Sequence, residues 1–308
     1  MHPRQASAAR VTPGSRFIDP DVLARIGDLE LIARTVVEGF ISGLHRSPFL
    51  GFSLDFAEHR PYMPGDDIRR IDWRLFARTD RFYVREYEAE TNASVFFALD
   101  VSRSMDFGSR NITKLDYGRF LAASLSYMSA EQRDRVGFAS FDSDVIDRVP
   151  PSARHRHLVL HSIDRSRPGG AGELARPLAK IGESLTRRGI VVLISDLYDE
   201  PDRVMDAVNR LRSKGNDIAV FHILDPAELR FPFETPSSFE DLETGEQVPV
   251  TPEVMHEEYL EMIGEHTREL TREMLRNEVD YALFDTSKPL DHALFHFLSH
   301  RAKRIRGR

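Results

Sequence analysis

Ser94–Gly108, SVFFALDVSRSMDFG, runs five apolar residues (Val95, Phe96, Phe97, Ala98, Leu99) into an acid, Asp100, and then supplies two hydroxyls, Ser102 and Ser104. A short, continuously apolar run is how a strand buried on both faces reads, and open α/β sheets gather ligands beyond the carboxyl ends of their strands. One carboxylate and two hydroxyls at alternate positions can converge on a hard cation such as Mg²⁺. Further on, Ile190-Val191-Val192-Leu193-Ile194 repeats the pattern and ends in Ser195-Asp196. If the two strands are parallel neighbours, Asp100 and Asp196 share one edge of the sheet.

Outward from these two strands, apolar runs and helical periodicity alternate. Strands are predicted over Val95–Asp100, Arg135–Phe141, Ile190–Asp196, Asp217–Leu224 and Val279–Phe284, with a short edge strand over Val145–Val149. Helices are predicted over Lys114–Ala130, Arg154–Ile163, Glu173–Arg187, Pro201–Ser213, Pro252–Arg276 and Leu290–Lys303. Strands spaced by helices imply a mostly parallel sheet with helices on both faces. Residues 93–308 form this α/β domain, with a hairpin inserted near 231–251 around Thr244-Gly245. Residues 19–92 read as a smaller N-terminal unit: an amphipathic helical stretch, one helix or two, over Asp19–His45, then an irregular, partly β segment dense in Arg, Asp and aromatics. Residues 1–18, rich in Pro, Ser and Arg, are expected to be a frayed tail.

Bulk composition narrows the function. A chain of 308 residues with 41% hydrophobic and 30% charged residues suits a soluble globular protein. A net charge of −7 argues against wholesale nucleic-acid binding. The absence of cysteine removes disulfides, thiolate metal sites and cysteine nucleophiles. No signal-peptide core or membrane-spanning apolar run is evident, so a cytoplasmic location is expected. Phosphate-binding Gly-x-x-x-x-Gly-Lys and Gly-x-Ser-x-Gly signatures are also missing. His292, His296 and His300 share a helical face but lack the further ligands that a zinc site needs.

The Asp-x-Ser-x-Ser spelling resembles the metal-ion-dependent adhesion site of von Willebrand factor A domains, which are mainly binding modules. Asp100, Ser102, Ser104 and Asp196 are the candidate ligands for Mg²⁺, or for Mn²⁺ or Ca²⁺. The competing role for a strand-end Asp or nearby Ser is to cap the next helix. The resemblance also calls for a loop threonine, but Arg167–Glu173 reads RPGGAGE and places Ala171 or Gly172 there. That loss implies a weaker cation site, with water or Glu173 filling the gap.

Glu58–Thr79, EHRPYMPGDDIRRIDWRLFART, is more specific. With Lys114-Leu115-Asp116 and Asp134-Arg135-Val136-Gly137, it resembles a bacterial family called domain of unknown function 58, whose members are von Willebrand A-like and are typically encoded beside MoxR-type AAA+ ATPases. The resemblance implies a non-enzymatic adaptor that binds a client protein and works with such an ATPase in chaperone-like maturation or complex assembly. Arg60, Asp66, Asp67, Arg69, Arg70 and Arg78 then become candidate partner contacts, against the alternative of an ion-pair lattice that pins a loop. A metal-dependent, phosphatase-like hydrolase using Asp100 is the second reading. It is disfavoured because Ser102 stands where such phosphatases place a second Asp, and no general base is evident.

Overall fold

The computed structural model describes residues 19–46, 59–62, 73–79, 81–85, 93–242 and 245–306. The amphipathic stretch resolves into two helices. Helix α1 (Pro20–Leu23) is capped by Asp19, whose carboxylate accepts from the Asp21 N–H, and proline begins its first turn. Gly27, at φ 69°, then turns the chain before α2 (Leu29–Arg46). The apolar face of α2 (Ile32, Ala33, Val37, Phe40) is buried. Strands β1 (His59–Pro61) and β2 (Tyr83–Arg85) pair antiparallel. Between them lies α3 (Trp73–Thr79), which the irregular composition of this segment had hidden. The Phe76 and Phe82 rings stack at 4.4 Å, holding α3 to the ribbon.

The α/β domain follows in chain order as β3 (Ser94–Asp100), α4 (Lys114–Glu131), β4 (Arg135–Phe141), β5 (Val145–Ser152), α5 (Arg156–Arg165), α6 (Ala175–Ser184) and β6 (Ile190–Ser195). It continues through α7 (Pro201–Arg212), β7 (Asp217–Leu224), α8 (Pro226–Arg230), β8 (Ser237–Glu240), β9 (Gln247–Val250), α9 (Pro252–Arg276), β10 (Asp280–Asp285) and α10 (Asp291–Arg306). The central sheet has six strands in the order β10-β7-β6-β3-β4-β5. All neighbours are parallel except β4 and β5, so β5 forms an antiparallel edge. This is the mostly parallel α/β arrangement, with helices on both faces, expected from the sequence. Strands β8 and β9 pair as a separate hairpin ahead of α9.

Strand alternation divides the core in two. Val95, Phe97 and Leu99 of β3, with Val192 and Ile194 of β6, pack on one face with residues of α2, α4, α5 and α10. Phe96 and Ala98, with Val191 and Leu193, pack on the other with α6, α7 and α9. Helix α4 lies unusually close to the sheet at Gly118, where a Cβ would come within 2.9 Å of Leu99 Cδ1. That contact fixes where the first turn of α4, including Lys114, meets the carboxyl edge. Phe97 is wholly buried. Phe97→Ala is expected to lower unfolding free energy by about 3–5 kcal/mol, read from the urea midpoint, because removed transfer energy and a residual cavity add.

Candidate functional site

Among the described residues, each parallel strand of the sheet ends on or just before an aspartate: Asp100, Asp142, Asp196, Asp225 and Asp285. Three of these do structural work. Asp225 caps α8, its carboxylate accepting from the Ala227 N–H at 2.8 Å and from the Ser109 N–H at 3.0 Å. Asp285 accepts from the Ser287 N–H at 2.8 Å and pairs with Arg230. Asp142 accepts from the Gly170 N–H at 2.8 Å and the Asp144 N–H at 3.1 Å. Burial would raise the Asp142 pKa, but these backbone donors outweigh it and hold the carboxyl below its usual value. A Cβ at Gly169 would meet Asp142 Oδ2 at 2.5 Å, so a glycine is needed for this loop to close on the acid.

Asp100 and Asp196 behave differently. Leu99 pairs with Ile194, so the two acids leave adjacent strands one step apart. The Ser195 hydroxyl donates to Asp100 Oδ2 at 2.6 Å, and the Ser102 N–H donates to Oδ1 at 2.8 Å. Both acids are buried, at 4% and 2% exposure. Burial, and then the Asp196 charge, push the Asp100 pKa up to about 7, against the hydrogen bonds from Ser195 and Ser102. Ser102 and Ser104 meet through their hydroxyls at 3.1 Å. The four residues singled out in the sequence therefore lie on one edge. Neither acid caps a helix: α7, downstream of Asp196, begins after Glu200.

Two further members of the site, Lys114 and Glu228, were not foreseen. Lys114 is fully buried and donates to Asp196 Oδ2 at 2.8 Å and to Glu228 Oε1 at 2.6 Å. Burial acts to lower its pKa, but the charges of Asp196 and Glu228 outweigh this and raise it. Lys114 stays charged as an internal counter-ion. A signal existed: Lys114 is the first residue of α4, where the helix dipole disfavours a cation. Glu228 also closes the capping box of α8 from its N3 position, its Oε2 accepting from the Asp225 N–H at 2.7 Å.

Residues 58–269 match the family model described as "Protein of unknown function DUF58". The chain belongs to the DUF58 family. It is 28% identical over 232 residues to uncharacterised proteins of Mycobacterium tuberculosis and Mycobacterium bovis, spanning 74% of this chain and 73% of theirs. Among solved structures it is similar to a conserved hypothetical protein, BatB, of Bacteroides thetaiotaomicron, with TM-score 0.48 and 18% identity over 68% of this chain and 99% of that one. It is also similar to an aerotolerance-related membrane protein of Bacteroides fragilis, with TM-score 0.45 and 19% identity over 65% of this chain and 96% of that one.

In this DUF58 protein a cavity of about 590 Å³ lies beside the acidic edge, sharing Ser104 with it and lined also by Phe107, Lys114, Tyr198, Glu228 and residues of α8, the β8–β9 hairpin and α9. Two bulky residues beside it hold left-handed backbone conformations: Leu197, next to Asp196, at φ 52°, and Phe231, in the cavity wall, at φ 45°. Such conformations cost about 1–3 kcal/mol each and tend to gather at functional sites.

The remaining predicted residues fall elsewhere. Glu173 is exposed on the glycine loop, and Ala171 and Gly172 are exposed beside it. The loop is tied to the Asp-x-Ser-x-Ser segment by main-chain bonds, from the Gly169 N–H to Val101 O at 2.6 Å and from the Arg103 N–H to Gly170 O at 2.9 Å. Asp66, Asp67, Arg69 and Arg70 lie outside the described residues. Arg60 lies on β1, and Arg78 is exposed on α3. Among the described residues no three His, Asp or Glu side chains converge into a metal cage, and no helix is long and apolar enough to cross a membrane. The edge is instead a two-carboxylate, two-hydroxyl set, which can hold a hard cation whose other ligands are waters or a partner's oxygen.

Two outcomes follow from these charges. Lys114→Met should lower stability by about 3–5 kcal/mol in urea unfolding, since it strands two buried carboxylates, and adding Asp196→Asn and Glu228→Gln should restore most of the loss. In the unfolded chain Asp100 titrates near an ordinary carboxylate value of about 4, so between pH 4 and 7 the folded chain keeps a proton that the unfolded chain has released. The stability this group contributes is therefore full below about pH 4 and falls as pH rises to 7. In EDTA, the wild-type urea midpoint should drop from pH 5 to pH 8 more than that of Asp100→Asn; parallel profiles would contradict the assignment.

Proposed function

We propose that this protein is a non-enzymatic binding adaptor that presents a divalent cation, Mg²⁺ by the chemistry of its oxygen donors, to an acidic side chain of a partner protein. The observation that carries this reading is the meeting of Asp100 and Asp196 on adjacent strand ends, with the hydroxyls of Ser102 and Ser104 beside them. Burial, and then the neighbouring Asp196 charge, raise the cost of ionising Asp100, as its pKa of about 7 reflects. A bound cation would offset that cost and supply a positive charge able to accept a partner's carboxylate. The protein's own groups orient the donors: Ser195 and the Ser102 N–H hold Asp100, and Lys114 holds one oxygen of Asp196 while leaving the other. The exposed Ala171 and Gly172 offer no hydroxyl, which favours modest cation affinity.

Membership of the DUF58 family, with the Glu58–Thr79 signature, supports a MoxR-type AAA+ ATPase as the working partner and a client protein as the object of maturation or assembly. The adaptor reading extends to Glu173 and the Arg/Asp-rich segment (Arg60, Asp66, Asp67, Arg69, Arg70, Arg78) as docking contacts.

The test uses the purified full chain. Titration calorimetry with MgCl₂ and MnCl₂ should show one site that Asp100→Ala abolishes, and retention of a MoxR-type ATPase from the same organism on the immobilised chain should fall in EDTA and in Asp100→Ala. Metal-stimulated hydrolysis of p-nitrophenyl phosphate, lost in Asp100→Ala, would overturn the adaptor reading in favour of a phosphatase.

A further inference from the structure

We propose that the cavity beside the cation edge receives an arginine side chain of the partner protein. The inference rests on this edge being a protein-binding face, but it does not require the cation.

The cavity walls are aromatic. Phe231 packs against Phe233 with centroids at 5.1 Å and 74°, and Phe233 against Phe239 at 4.7 Å and 67°. Tyr259 lies against Phe231 at 4.8 Å. A volume of about 590 Å³ admits one large side chain together with part of its backbone. The accessible charge is acidic. Among the described lining residues the one basic group is Lys114, whose side chain has 0% exposure and is turned onto Asp196 and Glu228. The Glu228 side chain is 11% exposed, and Glu240 and Asp241 are exposed at the hairpin end of the cavity. A ligand held here is bordered by aromatic rings and carboxylates together.

These surfaces rank the possible occupants. An acidic side chain is repelled by Glu228, Glu240 and Asp241. A purely apolar one gains the ring contacts but pairs with none of the lining carboxylates, and it excludes water from those it covers, at a cost. An ammonium is strongly hydrated and gains less from stacking. A guanidinium is planar and weakly hydrated; it stacks on aromatic faces and pairs with carboxylates through its fork, while its apolar stem follows the walls. Ser104 borders both the cavity and the cation edge. A partner segment carrying an acid and a nearby arginine would therefore be read at two adjoining points.

The experiment selects a phage-displayed random peptide library against the full chain, once in EDTA and once in MgCl₂. Arginine should be enriched in both buffers, whereas acid enrichment that appears only with Mg²⁺ reports on the cation edge, so the two readings fail separately. In a selected peptide, citrulline in place of arginine should weaken binding about tenfold or more by fluorescence anisotropy, and so should Phe239→Ser in the chain. Glu228→Gln should act likewise; if circular dichroism shows it unfolded, the exposed pair Glu240→Gln and Asp241→Asn carries the same test. Selection of peptides without arginine would overturn the proposal, and so would arginine peptides that bind the Phe239→Ser chain unchanged. Arginine amide alone binding as tightly as the peptides would replace the partner with a small ligand.

Discussion

Lys114 begins a helix, where the backbone dipole disfavours a cation, and it has no exposed surface; it remains charged because Asp196 and Glu228 each accept a hydrogen bond from its ammonium. Those bonds join the first turn of α4, the end of β6 and the capping box of α8 at one point. An ion cluster buried this deeply is weak evidence for stability, since an apolar replacement of similar volume often does as well. It is better evidence for position. It holds the Asp196 carboxylate at the edge where Asp100, Ser102 and Ser104 stand, and it fixes Glu228 in the cavity wall, with one oxygen on the lysine and the other closing the capping box of α8.

The architecture was largely legible in the residues because both signals that specify it are local. The run Val95–Leu99 and the run Ile190–Ile194 each lie in adjacent parallel strands, and alternation splits each between two packed faces. The long helix predicted over Pro252–Arg276 has those bounds in the structure. Where reading and structure part, tertiary contacts decide. The predicted Glu173–Arg187 helix is shortened to Ala175–Ser184, as Asp142 and Val101 draw the preceding loop into main-chain and carboxylate bonds. Helix α3 was masked because a segment alternating Arg, Asp and aromatic residues has no clear apolar period.

The candidate site was half legible. Strand-end acids and the Asp-x-Ser-x-Ser spacing are sequence features, and they marked Asp100, Ser102, Ser104 and Asp196. The same rule marks Asp142, Asp225 and Asp285, which bind loops and caps instead; only the hydrogen-bond partners separate the two kinds. Lys114 and Glu228 stand 82 and 32 residues from Asp196 in sequence, one before and one after, so their meeting depends on the strand order rather than on any local motif. The aromatic cavity needs Phe231 and Phe233 after α8, Phe239 on β8 and Tyr259 on α9 to meet, and no period in the sequence announces that.

The antiparallel edge strand β5 has a consequence for how partners can approach. It carries Pro150 and Pro151 where its pairing with β4 slips register between Val136 and Phe138. Proline offers no amide hydrogen, and a bulged margin twists away from a flat template. This flank of the sheet is therefore a poor seed for another chain's strand and a poor start for fibrous stacking. A partner approaching this flank would have to be met by side chains and loops rather than by backbone zippering.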